Sequence, residues 1–197
     1  MTGMPVYIFL TLLWVLFGVM HSVLAAKGWK QWVQRKMGVY ARYYRLSYSL
    51  LSLLLLIVIV AYHWQVPALR FWHTPLPLQL LSASLAVGGL IIMGICTRKY
   101  FFYLSGAAVL LQREEPEAKL ETGGLHRYVR HPLYVGTLLL VWALLPLLPL
   151  LSYLISCVMI TLYTFIGAML EERKLVKEFG EDYRHYQREV PMWGVRF

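Results

Sequence analysis

Charge is scarce in this chain. Asp, Glu, Lys and Arg together make up 15% of the 197 residues, against 59% hydrophobic residues, and the mean hydropathy is +0.56. Soluble domains carry roughly 25% charge, so the composition excludes an ordinary soluble globule. Cysteine is almost absent: Cys96 and Cys157 lie far apart, each inside an apolar run, and report neither a disulfide framework nor a metal site. No two histidines stand at i, i+3 or i, i+4 and the carboxylates sit beside arginines, so no metal is expected. There is no G-x-G-x-x-G after a strand and no P-loop, which leaves any nucleotide-like cofactor to be held by something other than a Rossmann turn. The net charge of +9 does not require nucleic acid, because cations on the inner loops of a membrane protein give the same balance. The first apolar run begins at Pro5 with no basic segment before it and is too long for a signal core, so it reads as a span.

What the chain has instead is apolar runs near the length of about 20 residues that crosses a bilayer. The first is Val6–Ala26, followed by a loop from Lys27 to Arg45 with six cations and no acid, in which Trp29, Trp32, Val33 and Lys36 have the spacing of a helix lying on the lipid surface. The second is Leu46–Tyr62, then an aromatic, proline-rich rim with one formal cation, Arg70. The third, Leu78–Cys96, carries Ser82, Ala83, Ala86, Gly88, Gly89 and Gly94, small residues that admit a close neighbour, with Gly88-Gly89 also offering a face for a second copy. A connector with six cations and four acids (Glu114, Glu115, Glu117, Glu121) leads to Arg130, and its stretch Tyr100–Leu111 is too apolar for a solvated loop. The last block, Pro132–Leu170, is broken by Pro146-Leu-Leu-Pro149 into a hairpin of two helices of similar length.

The expected fold is therefore all-α: a polytopic membrane protein of about five transmembrane helices, with a C-terminal helical hairpin and a tail helix. The whole of 1–197 reads as one integral membrane domain, with three spans in 1–96, a cytoplasmic connector at 97–131, the hairpin at 132–170 and a cytoplasmic tail at 171–197. Placing the basic loops inside puts the N-terminus outside and the C-terminus in the cytoplasm.

Chemistry-bearing residues gather at one end of the hairpin. Arg130-His131-Pro132-Leu133-Tyr134 marks an abrupt border between a cationic segment and an apolar helix, and proline suits the first helical turn. An anion there would meet Arg130 and the free amides of the helix. The hairpin returns the chain to the same depth at Glu171-Glu172-Arg173, so Glu171 should lie near His131. Taken singly, the arginines read as topological anchors and the glutamates as a solvated helix end. Two acids at a helix C-terminus are nevertheless disfavoured unless the helix continues or a ligand offsets them. Leu175, Val176, Phe179, Tyr183 and Tyr186 carry helical spacing onward, with Gly180 capping one helix before another that stops near Val190-Pro191. That second helix suits either a lid over the mouth or a plain surface helix.

Gly124-Leu-His-Arg-Tyr-Val-Arg-His-Pro-Leu-Tyr134, followed by Glu171-Glu172 and by Phe179-Gly180-x-x-Tyr183-x-x-Tyr186, resembles the isoprenylcysteine carboxyl methyltransferase family of integral membrane methyltransferases. The N-terminal half, with Met20-His21-Ser22 and Tyr44-Arg45-Leu46, is more similar to its bacterial NnrU and methanethiol methyltransferase branch. The resemblance implies S-adenosylmethionine as cofactor and S-adenosylhomocysteine as product. It implies a site formed by Tyr128, Val129, Arg130, His131, Pro132 and Tyr134 with Glu171 and Glu172, in a bacterial inner membrane. His126 departs from the tyrosine usual in that family.

Arg130 or Arg173 could hold the cofactor carboxylate or steer an anionic acceptor, and Glu171 or Glu172 could accept from ribose hydroxyls or the cofactor ammonium. Arg130, Glu171 and Arg173 are thus the candidate catalytic residues. The acceptor class is a small or lipophilic thiol or carboxylate arriving from the membrane lipid. The alternative is a non-catalytic NnrU-type protein whose basic face binds a lipid or a protein partner. A transporter is disfavoured because the interiors of the spans hold no Asp, Glu, Lys or Arg.

Overall fold

The computed structural model describes residues 4–111 and 119–194. Arg113, Glu114, Glu115 and Glu117 of the connector lie outside the described residues. Among the described residues six α-helices follow one another: α1 (Met4–Ala25), α2 (Lys27–Met37), α3 (Tyr44–His63), α4 (Leu76–Leu104), α5 (Pro132–Leu144) and α6 (Leu151–Glu189). Short 3-10 turns occupy Gly38–Tyr43, Ala107–Leu111 and Gly124–Arg127, and no β-strand occurs among the described residues. The helices α1, α3, α4 and α6 are long and apolar enough to cross a membrane. The outward residues of α1 (Ile8, Leu12, Val15, Val19) are exposed large hydrophobics, the surface a lipid environment covers. The protein is an all-α polytopic membrane protein.

Two differences from the expected layout have local causes. The helix of the third span does not stop at Cys96: α4 runs on to Leu104, so the apolar start of the connector extends it. The hairpin arms are unequal: α5 has 13 residues, about 20 Å at 1.5 Å per residue, whereas α6 has 39. The second arm is longer because Glu171-Glu172-Arg173 do not end the helix; it continues to Gly180, whose φ of 57° and ψ of −125° break it before the final turns. The turn lies where the prolines place it, with the Phe71 amide donating to Pro149 O and the Thr74 hydroxyl to Pro146 O.

The chain packs as two compact units. The first comprises Met1–Leu69, Tyr100–Pro116 and Leu151–Met159. Its interior holds Leu10, Trp14, Ile59 and Cys157, and its polar groups pair inside it. The Trp14 indole donates to Ser156 Oγ at 2.9 Å, His63 Nε2 lies 2.8 Å from the same oxygen, and His21 Nδ1 lies 2.8 Å from Ser52 Oγ. The loop after α1 is largely the amphipathic helix α2, anchored by buried Val33 and carrying stacked, exposed Trp29 and Trp32.

The second unit comprises Arg70–Lys99, Glu117–Leu150 and Ile160–Phe197. Ser82, Ala86 and Gly89 form a buried stripe on α4 at helical spacing. A β-carbon at Gly89 would fall 2.8 Å from Gly136 O and from Leu140 N, and one at Gly136 would fall 2.8 Å from Ile92 Cγ2. The small residues of α4 therefore admit α5. Gly89 is thus used inside the chain and not as a face for a second copy, while Gly88 meets nothing within 4 Å.

Candidate active site at the polar end of the hairpin

Pro132 takes the first position of α5 and leaves His131 as its N-cap, with Arg130 one residue before it. Gly180 lets the last turns of α6 fold back, so that Tyr183, Tyr186 and Val190 bury against Leu120, Leu175, Val176 and Phe179. The helix that could have been a plain surface element is therefore packed onto the hairpin. These two devices bring Arg130, His131, Glu172, Tyr183 and Gln187 to one point.

Glu172 is the hub. Its Oε1 accepts from Arg130 Nε at 2.9 Å, from His131 Nε2 at 2.7 Å and from the Tyr183 hydroxyl at 2.7 Å. Its Oε2 accepts from Arg130 Nη2 at 3.0 Å and from Gln187 Nε2 at 2.5 Å. Arg130 spends its remaining reach on backbone: Nη1 donates to Val190 O at 2.6 Å and to Gln187 O at 3.3 Å, and its amide donates to Pro191 O at 3.0 Å. The bidentate pair is the strong, geometrically demanding form of a carboxylate–guanidinium contact. Burial alone would push the Glu172 carboxyl up, but hydrogen bonds from Arg130, Gln187, Tyr183 and His131 outweigh it and hold the group at about 2. Burial and the Glu172 carboxylate push the Tyr183 hydroxyl far above its ordinary value, so it stays a donor.

Glu171 differs from its neighbour. Its side chain is 43% exposed against 12% for Glu172, and its Oε2 stands 3.6 Å from His131 Nδ1. The Tyr134 hydroxyl lies within electrostatic reach of it, and the Tyr134 ring stacks on His131 at 5.4 Å. Trp193 approaches the His131 ring at 6.2 Å and itself stacks on Phe165 at 4.8 Å. His126 sits within electrostatic reach of Glu121, His131 and Glu171; burial pushes it below its ordinary value, opposed by the two glutamates. A polar cavity of about 490 Å³ lies on the folded-back turns of α6, lined by Thr122, Arg127, Asp182, His185, Tyr186, Glu189 and Val190, and none of Glu171, His131, Tyr134 or Trp193 lines it.

Of the residues expected at the site, Arg130, His131, Tyr134, Glu171 and Glu172 come together, and Pro132 is buried under them. Val129 is half-buried, with its amide bonded to Leu125 O. Tyr128 is 59% exposed, and Arg173 is exposed and joins none of these bonds. The guanidinium of Arg130 is committed within the protein, so the anion at the start of α5 is Glu172 itself. Gln187, Trp193 and the carbonyls of Val190 and Pro191 were not anticipated. Gln187 had a usable signal, four residues after Tyr183 and so on its helical face; Trp193 follows Pro191 and had none.

The chain matches the NnrU protein family over residues 9–196. A methanethiol S-methyltransferase of Pseudomonas deceptionensis is 36% identical over 187 residues, covering 92% of this chain and 70% of that protein. Another, from Mycobacterium tuberculosis, is 30% identical over 200 residues, covering 96% and 78%. A protein-S-isoprenylcysteine O-methyltransferase of Schizosaccharomyces pombe is 33% identical over 87 residues, or 42% of this chain and 36% of that one. No solved structure matches. Together with the all-helical membrane fold, these matches make the chain a member of the NnrU family, akin to the membrane methyltransferases.

Proposed function

We propose that the protein is a membrane methyltransferase that binds S-adenosylmethionine at the polar end of the hairpin and methylates a thiol or carboxylate on a small or lipophilic acceptor, releasing S-adenosylhomocysteine. One observation carries this reading: the Arg130–Glu172 pair ties the segment before α5 to the middle of α6, with Glu171 and His131 Nδ1 beside it 3.6 Å apart and the Tyr134 ring stacked on His131. The relatives' names support the reaction class, and a thiol acceptor is what the methanethiol S-methyltransferases are named for.

The residues fit such a cofactor chemically. A half-exposed carboxylate at Glu171 suits an ammonium or ribose hydroxyls. The aromatic faces of Tyr134 and Trp193 suit a cation or a flat base. When bound, the cofactor supplies an electrophilic methyl group on a cationic sulfonium.

The protein's part is then positioning and exclusion of water. A sulfonium and an anionic acceptor lose charge separation on the way to the transition state, so a site of low dielectric favours the reaction over water. The side chains of Arg130 and His131 are only 10% and 5% exposed, which meets that requirement. In this reading the hairpin end faces the cytoplasm of a bacterium, where the cofactor is made, and the acceptor enters from the lipid of the inner membrane.

Titration calorimetry of the purified protein with S-adenosylhomocysteine tests the proposal. Saturable binding is expected. Absence of binding in a sample shown to be folded leaves the non-catalytic alternative, a basic face that binds a lipid or protein partner.

A further inference from the structure

The two nitrogens of His131 have different surroundings. Nε2 lies 2.7 Å from Glu172 Oε1, and that carboxylate also takes two bonds from Arg130, one from Tyr183 and one from Gln187. A carboxylate serving five donors is ionised and only accepts, so Nε2 carries the proton and the neutral ring keeps its lone pair on Nδ1. Nδ1 makes no hydrogen bond; Glu171 Oε2 stands 3.6 Å away. No wholly buried side-chain nitrogen or oxygen among the described residues lacks a partner. Nδ1 therefore keeps some accessible surface, with Glu171 as its nearest charged neighbour. Tyr134 and Trp193 flank the ring and fix its plane.

We propose that His131 Nδ1 is the proton acceptor for a thiol substrate and that Glu172 is the positioning residue that presents it, which makes the acceptor a thiol and not a carboxylate. This rests on the methyltransferase reading above. A carboxylic acid, with a pKa near about 4, is already ionised at neutral pH and needs no base. A thiol with a pKa of about 8.5 is mostly protonated, and the thiolate is the nucleophile. A fixed imidazole with a lone pair on Nδ1 is idle for the first acceptor and useful for the second.

In the step, the S–H bond breaks as Nδ1–H forms. The sulfur uses the freed pair to bond the methyl carbon, and the methyl–sulfonium bond breaks with its electrons going to the donor sulfur. The positive charge moves from sulfonium to imidazolium, where it lies between Glu171 and Glu172. The other titratable groups facing the ring are Tyr134 from α5, His126 from the preceding turn, and Arg130 and Tyr183 across Glu172.

The test uses the full chain in lipid nanodiscs, labelled with nitrogen-15 histidine, with the His131 signals assigned by their loss in H131Q. Wherever in the titration the ring is neutral, its one hydrogen is expected on Nε2; a neutral ring with its hydrogen on Nδ1 overturns the proposal. The glutamine of H131Q still offers a donor to Glu172 but no base. That variant should keep S-adenosylhomocysteine binding within about tenfold while methylating a short alkyl thiol roughly a hundredfold or more slowly. Its residual rate should climb about tenfold per pH unit toward the thiol's own pKa, more steeply than wild type. Wild-type turnover and pH profile in H131Q, or methylation of lipophilic carboxylates but of no thiol by the wild type, also overturns it. Failure of folded wild-type protein to bind S-adenosylhomocysteine sinks the methyltransferase reading itself, whereas binding with unchanged H131Q turnover sinks only the base.

Discussion

Removing the Glu172 side chain leaves the Arg130 guanidinium, 10% exposed, without its carboxylate. Breaking a buried pair from one side typically costs about 3–5 kcal/mol, so E172A is expected to unfold at a markedly lower temperature in detergent. E171A, at a side chain 43% exposed, should change that midpoint little and act on ligand affinity instead. Equal thermal shifts in the two variants would contradict this division. The pH dependence has a definite sign. Glu172 is held at about 2 in the folded protein, below the ordinary carboxylate value of about 4.3, so it stabilises the fold above about 4.3 and loses that contribution as pH falls toward about 2. Unfolding midpoints measured across that window should fall in the wild type and change less in E172Q. At this scale the sequence identified the acidic pair and Arg130 but not their separate roles. Adjacent glutamates on a helix point about 100° apart, and only the packed partner decides which one is buried.

Among the elements, the fold of the site depends on two glycines. Gly136 admits α4 so closely that a β-carbon would stand 2.8 Å from Ile92 Cγ2 and 3.1 Å from Gly89 O. G136L is expected to lose about 1–3 kcal/mol of stability, read as a lower unfolding midpoint. Gly180, at φ 57° and ψ −125°, holds a backbone conformation that disfavours other residues by about 1–3 kcal/mol. In G180A the helix 181–189 should leave the hairpin more readily, giving faster proteolysis after Gly180 and weaker ligand binding with the first 170 residues still protected. The break at Gly180 was legible because the helical spacing of Leu175, Phe179 and Tyr183 meets a glycine. The continuation past the acidic pair was legible in the same spacing, whereas the shortness of α5 was not, and Glu172 sits in mid-helix beside partners 41 and 42 residues away.

For the whole molecule, hydropathy alone gave the helical membrane architecture, because an apolar run must satisfy its backbone internally in lipid and a helix does so. What hydropathy could not supply was the convergence of Arg130, His131 and Glu172, which depends on how the hairpin arms and the folded-back tail pack. The proposed orientation is checked by labelling single cysteines in a Cys96→Ser, Cys157→Ser background: one introduced at Gly194 should be shielded in intact cells and labelled after permeabilisation. Labelling without permeabilisation would reverse the topology.

The central claim is that the polar end of the hairpin is the cofactor site. It is tested most directly by calorimetry of wild type and E171A with S-adenosylhomocysteine. Saturable wild-type binding is expected, weakened about 10- to 100-fold in E171A by the loss of one charge-assisted hydrogen bond, with thermal stability retained. Equal affinity in the two folded proteins would contradict it.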